Sequence, residues 1–305
     1  MIRYNPHRWL DHLFDVEGSM VREITGRVSF CAVWATAVVV VHKYVHPASI
    51  SPLIHTLVGV AIGLLLVFRT NASYDRYWEG RRLWGAIVNE CRNLGREACV
   101  LLAEAPALLG QALDWTAAFP YAVKQRLRHG EGLDAGPLSL TPEAAAEVSG
   151  AEHVPLAVAL RLTRVFDQAR RQGLISDYLY GSLDGGVGRL IDALGACERI
   201  HTTPLPFVYV VHLRRALILY CCSLPFTLVE PFGWGAIVAT VLVSYMFFGI
   251  EEIGVEIEDP FGGDSNDLPL DAYCERIEAN MTQLRTSAPA PVPLPTPADG
   301  VANAL

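Results

Sequence analysis

The chain has 305 residues, 51% of them hydrophobic and 18% charged, with a mean hydropathy of +0.28. That is at the apolar edge for a soluble protein and too charged for a transporter lying wholly in a bilayer. A formal net charge of −8 argues against a nucleic-acid partner, which is held mainly by clustered Lys and Arg.

In chain order, the N-terminus MIRYNPHRWLDHLF lacks the basic-then-apolar layout and cleavage site of a signal peptide. Any membrane entry is therefore by internal segments, and residues 1–27 read as a cytosolic N-terminal segment. Four apolar segments stand out: VSFCAVWATAVVVVHKYV (28–45), PLIHTLVGVAIGLLLVF (52–68), a run from Leu205 to about Val229, and GWGAIVATVLVSYMFFGI (233–250). Each is near the ~20 residues a helix needs to cross a ~30 Å hydrocarbon layer, although runs this short also occur as core helices of soluble proteins. Their pairing favours the membrane. They form two hairpins, 28–68 and 204–250, whose turns VHPASI and VEPFG carry no Lys or Arg. The positive-inside rule puts both turns outside and both termini in the cytoplasm.

In the second segment Val60, Leu64 and Phe68 recur every fourth residue, along one helix face. Gly59 and Gly63 on an adjacent strip form a G-x-x-x-G that permits close helix packing in lipid. Such a helix can assemble into a ring whose large apolar groups gate ions by dewetting; a lipid-facing stripe is the alternative. Past Phe68 the helix continues through Arg69, Asn71, Tyr74, Asp75, Arg76, Trp78, Glu79 and Arg82. Glu79 is placed to meet Arg76 or Arg82 at i±3, and Asp75 reaches Arg82 only through a neighbouring helix.

The amphipathic pattern runs on through Trp84, Ile87, Cys91 and Leu94, followed by helical stretches near 117–129, 141–150, 153–171 and 184–201. Residues 69–203 thus read as a cytosolic helical region, with no convincing strand. His212, Arg214 and Arg215 lie in the third apolar segment, where charge is costly, and are expected to pair with Glu251 or Glu252. Residues 251–285 form a cytosolic C-terminal helical segment, and the Pro/Ala-rich 286–305 an extended, disordered tail. Seven scattered cysteines without a C-x-x-C pair indicate reduced, buried thiols rather than a disulfide framework or zinc site. No H-E-x-x-H, G-x-S-x-G, P-loop or dinucleotide fingerprint is present, so neither an enzyme nor a cofactor is expected.

FRTNASYDRYWEGRRLWGAIVNECR (68–92), FPYAVKQRLR (119–128), PLPFVYVVHLRRALILYCCSLPF (204–226) and EIEDPFGGDSNDLPLD (256–271) resemble the motifs of the bacterial branch of the bestrophin family. The resemblance implies an all-α membrane protein with four transmembrane helices per subunit, a cytosolic helical region and a central pore in a homopentamer. Animal members conduct anions such as chloride and are opened by calcium, and bacterial relatives are associated with cation passage. By motif position Val60, Leu64 and Phe68 form the pore neck, and Arg69, Asn71, Tyr74, Arg76, Trp78, Glu79 and Trp84 are the family's structural signature. GLISDYLYGSL (173–183) aligns with the cytosolic aperture, giving Asp177 and Tyr178 that role, with packing of Tyr178 in the bundle as the alternative. Asp259, Asp264 and Asp267 stand where animal members have a calcium clasp. Gly263, Ser265 and Asn266 interrupt its acidic run, so the segment is either an ion-binding remnant or a structured turn whose Asp residues cap helix starts.

The implied partners are further copies of the chain, membrane lipid and permeant monovalent ions, in a bacterial inner membrane. The negative net charge and an Asp177 ring favour cations, unless Arg69, Arg76 or Arg82 faces inward and reverses the sign. An anion-selective channel of the same architecture and a non-conducting scaffold remain the alternatives.

Overall fold

A computed structural model describes residues 7, 18–47, 49–130, 132–133 and 140–287. Among them are nine helices and no strand: α1 (Val21–Tyr44), α2 (Pro52–Leu101), α3 (Pro106–Leu127), α4 (Pro142–Ser149), α5 (Val154–Arg171), α6 (Asp177–Thr202), α7 (Phe207–Phe232), α8 (Gly235–Glu256) and α9 (Leu270–Ser287). The chain divides into two compact units, residues 1–82 with 197–268 and residues 83–196 with 269–305. α9 takes in the first two residues of the expected tail, and the rest of that tail lies outside the described residues.

In the first unit, α1, α2, α7 and α8 are each long and apolar enough to cross a membrane. α1 packs on α7 and α8, and α7 on α8. Ile24, Cys31, Ile62, Leu66, Leu213, Leu217, Cys221 and Phe248 form the core they enclose. Because lipid is as apolar as these side chains, close approach of small residues has to supply much of the contact. A Cβ on Gly59 would lie 2.7 Å from the Tyr220 hydroxyl, whereas one on Gly63 would meet nothing within 4 Å. Only the first glycine of the G-x-x-x-G therefore makes a close contact inside the subunit. Gly233, at φ +54°, makes the turn between α7 and α8, a conformation glycine adopts without strain.

The second unit is a helical bundle in which α3 packs against α5 and α9, and α4 against α5. Trp84 is fully buried, its ring 5.9 Å from that of Tyr273. α3 begins eleven residues before the expected 117, because Pro106 occupies its first turn, where a missing N–H costs nothing. α6 begins at Asp177 rather than 184. Its glycines argue against helix by propensity, but Ser176 Oγ accepts the Leu179 N–H at 3.3 Å as an N-cap. Gly186 lets α6 close on α2, where a Cβ would stand 2.6 Å from a Leu94 methyl. All seven cysteines are free and six are buried. Burial pushes the Cys197 thiol up to about 12, leaving it inert.

Candidate pore-lining site

α2 is a single helix of 50 residues. At about 100° per residue, positions 60, 64, 68, 71, 75, 78 and 82 fall within an arc of about 80°. Val60, Leu64 and Phe68 are 69%, 55% and 58% exposed, and Asn71, Asp75, Trp78 and Arg82 on the same arc are exposed too. Across the helix, Ile62, Leu66, Arg69, Ser73 and Gly80 are buried. One face thus belongs to the inside of the subunit. The other carries large apolar groups and then, in the same register, polar and charged ones.

Partners separate the charges further. Arg69 is 1% exposed and donates from Nη2 to Glu258 Oε2 at 3.0 Å; among the described residues its Nε and Nη1 have no hydrogen-bond partner. Arg76 donates to the backbone oxygens of Glu258 at 3.0 Å and Ile200 at 2.7 Å, and to that of Thr203, satisfying carbonyls freed at the end of α6. Glu79 pairs with Arg199 at 2.7 Å rather than with Arg76 or Arg82, because a neighbouring helix supplies a better placed guanidinium. Among the described residues Asp75 and Arg82 make no ion pair. Of the three arginines expected near a pore, only Arg82 stands on the exposed face. The arrangement can present apolar girdles followed by one acidic and one basic position, each about 10 Å from the preceding feature along the axis.

A family model described as bacterial/fungal bestrophin protein matches residues 1–283. The chain belongs to the bestrophin family. A voltage-dependent anion channel-forming protein of Nostoc sp. is 38% identical, over 92% of this chain and 93% of that one. The voltage-dependent anion channel-forming protein YneE of Escherichia coli K12 is 32% identical, over 94% and 95%. A crystal structure of a bacterial bestrophin homolog from Klebsiella pneumoniae superposes with a TM-score of 0.81 at 31% identity, covering 87% of this chain and 100% of that one. In this bestrophin the signature residues divide by role: Arg69, Arg76 and Trp84 are built into the fold, while Asn71, Tyr74 and Trp78 are exposed.

At the level of Glu251 the bestrophin subunit holds an ion-pair cluster in which the two acids are buried and the arginines half-exposed. Arg214 Nε donates to Glu251 Oε1 at 2.9 Å, as expected from sequence. Arg27 Nη1 reaches Glu252 at 2.7 Å and Glu251 at 3.4 Å. Sequence reasoning missed Arg27. The signal was present: it is the last charge before the first apolar segment, and so sits at the same boundary as the acids closing the fourth.

The acidic segment of this bestrophin folds as a turn. Asp259 Oδ1 accepts the Phe261 N–H at 3.2 Å, and Asp267 Oδ2 accepts the Asp264 N–H at 2.7 Å. Asp259, Asp264 and Asp267 line a cavity of about 510 Å³ together with Arg22, Glu252 and Glu256. Burial, added to by the charges of Asp264, Asp259 and Glu256, pushes the Asp267 carboxyl up to about 6. Calcium takes six to eight oxygen ligands. Asp259 Oδ1 and Asp267 Oδ2 each take a backbone N–H, which leaves the second oxygen of each, and among the described residues no group of three or more His, Cys, Asp or Glu is arranged to hold a metal.

Asp177 and Tyr178 sit at the first turn of α6 in the second unit. Tyr178 is 86% exposed, so it does not pack in the bundle. Asp177 accepts from Arg170 Nη1 at 3.1 Å, and Arg170 also holds Asp167. Arg171 pairs with Asp167 as well, at 2.7 Å, so the two acids face two guanidiniums.

Proposed function

We propose that this bestrophin assembles as a homopentamer around the exposed face of α2 and conducts small monovalent ions, anions in preference. Val60, Leu64 and Phe68 form the hydrophobic neck. The observation that carries the reading is the single exposed face running from Val60 to Arg82 opposite a buried one. A lipid-facing stripe accounts for its apolar half. A solvated helix surface accounts for Asp75 and Arg82 beyond it, and what favours the pore reading is that both halves share one register on one helix.

The preference for anions is supported by the name shared by the Nostoc and Escherichia coli relatives and by Arg82, which fivefold symmetry turns into a ring of guanidiniums. The expectation of cation selectivity loses its main support in Asp177, which is paired with Arg170. Asp75, exposed and closer to the neck, is the observation that favours cations. In the same reading Asp177 and Tyr178 border the cytosolic exit, and both termini lie in the cytoplasm of a bacterial inner membrane, as the distribution of Lys and Arg favours. The acidic turn serves as a brace that holds Arg69 and Arg76.

The test is the reversal potential of reconstituted protein in planar bilayers under a KCl gradient. Wild type is expected near the chloride equilibrium potential, Arg82→Gln displaced toward that of potassium, and Phe68→Ala to carry several-fold more current by widening the dewetted neck. A potential near that of potassium, reduced by Asp75→Asn, establishes the cation reading instead. No current from assembled protein overturns the channel.

A further inference from the structure

We propose that the first unit carries a binding site for an anionic phospholipid, in the leaflet at the level where α1 and α7 begin. A cavity of about 400 Å³ opens among α1, α7 and α8. Phe30, Cys31, Leu217, Ile218 and Phe248 supply apolar wall, and Arg27, Arg214 and Glu251 supply the polar lining. The order is the same on all three helices. Arg27 precedes Phe30 and Cys31 on α1, Arg214 precedes Leu217, Ile218 and Cys222 on α7, and on the returning α8 Phe248 precedes Glu251. Going inward from the membrane boundary, each helix presents charge first and hydrocarbon after. That is the order of headgroup and acyl chain.

The polar end is built rather than incidental. Glu251, with a side chain 2% exposed, draws in both guanidiniums, and Glu252 takes Arg27 a second time. Each guanidinium has five N–H donors. The pairs to Glu251 and Glu252 engage only Nη1 of Arg27 and Nε of Arg214. The two side chains are 44% and 50% exposed, so further donors remain for phosphate oxygens, which arginine binds in a bidentate fork. Within the lining two guanidiniums, Arg27 and Arg214, face one carboxylate, Glu251, and Glu252 meets Arg27 from outside it. Basic pockets between transmembrane helices are the kind of site that holds anionic headgroups. A second copy of the chain would have to bring its own anion to this depth, whereas an anionic lipid brings both an anion and an apolar tail.

The experiment uses full-length assembled protein in detergent, with thermal stability followed as phosphatidylglycerol, phosphatidylcholine or glycerol phosphate is added. Phosphatidylglycerol is expected to stabilise at a concentration about five- to tenfold lower than phosphatidylcholine, the size of effect one basic residue gives. Ile218→Trp, which fills the groove and leaves the arginines, and Arg214→Lys, which keeps a cation beside Glu251 but loses the fork, are each expected to remove most of that preference. Equal response to the two lipids, or an unchanged preference in both variants, overturns the proposal. Equal stabilisation by glycerol phosphate overturns the lipid assignment in favour of a free phosphate site. No current is read, so the result is independent of the channel reading.

Discussion

Arg69 and Arg82 lie on opposite faces of the same helix, and almost everything about them differs. Arg69 is enclosed, with Glu258 as its counter-charge and Gly254 packed against its side chain. Arg82 is exposed with no ion pair among the described residues. The buried face of α2 spends its polar groups on the fold, with Arg69 on Glu258 and Gly80 admitting Pro260 and Phe261 within about 3 Å of where a Cβ would stand. The exposed face leaves Asp75 and Arg82 available to solvent or ions. Nearness to Phe68 in sequence therefore does not decide whether a charge is exposed. Helical phase and partner decide it.

If that division is right, the largest effect on folding belongs to the buried face. Arg69→Ala strands Glu258, whose other oxygen accepts the Leu205 N–H at 3.0 Å, and should cost about 3–5 kcal/mol, as breaking a buried pair does. The expected outcome is loss of assembled protein in size-exclusion chromatography, with Arg69→Met/Glu258→Gln recovering most of it. Recovery of normal assembly by Arg69→Ala alone would break the comparison.

A smaller effect comes from the turn against which this face packs. The folded Asp267 carboxyl titrates at about 6, above its unfolded value of about 3.9. The folded state therefore binds the proton more tightly, and stability falls as pH rises from about 4 to about 6, then levels. The fall is on the order of 2–3 kcal/mol. Asp267→Asn keeps an acceptor for the Asp264 N–H and should flatten melting temperature across that window, while an unchanged slope would place the titration elsewhere.

Much of this was legible in the sequence because composition and period carry it. Apolar length located the four membrane-capable helices, and the structure begins α2 at Pro52, where the segment 52–68 begins. Four-residue spacing put Val60, Leu64 and Phe68 on one face, which the structure leaves exposed, and continuing the same arithmetic past Phe68 would have placed Asn71, Asp75 and Arg82 on it. Other features depend on what folding brings together. Glu79 had plausible partners on its own helix, but Arg199 arrives from α6. Arg27 joins Glu252 across a large sequence separation. The start of α6 was hidden because glycine content outweighed a single N-capping serine in any local reading, and tight packing at Gly186 reverses that balance.

The most direct test of the two faces is substituted-cysteine accessibility during current recording, with a charged methanethiosulfonate reagent applied to Asp75→Cys and to Ser73→Cys. These positions are two residues apart on one helix, exposed and buried respectively. The account predicts that the reagent changes the current through Asp75→Cys and leaves Ser73→Cys and the wild type, with six of its seven cysteines buried, as they were. Modification at Ser73→Cys with none at Asp75→Cys would contradict it, because the face turned to the permeating ions would then be the one assigned to the fold.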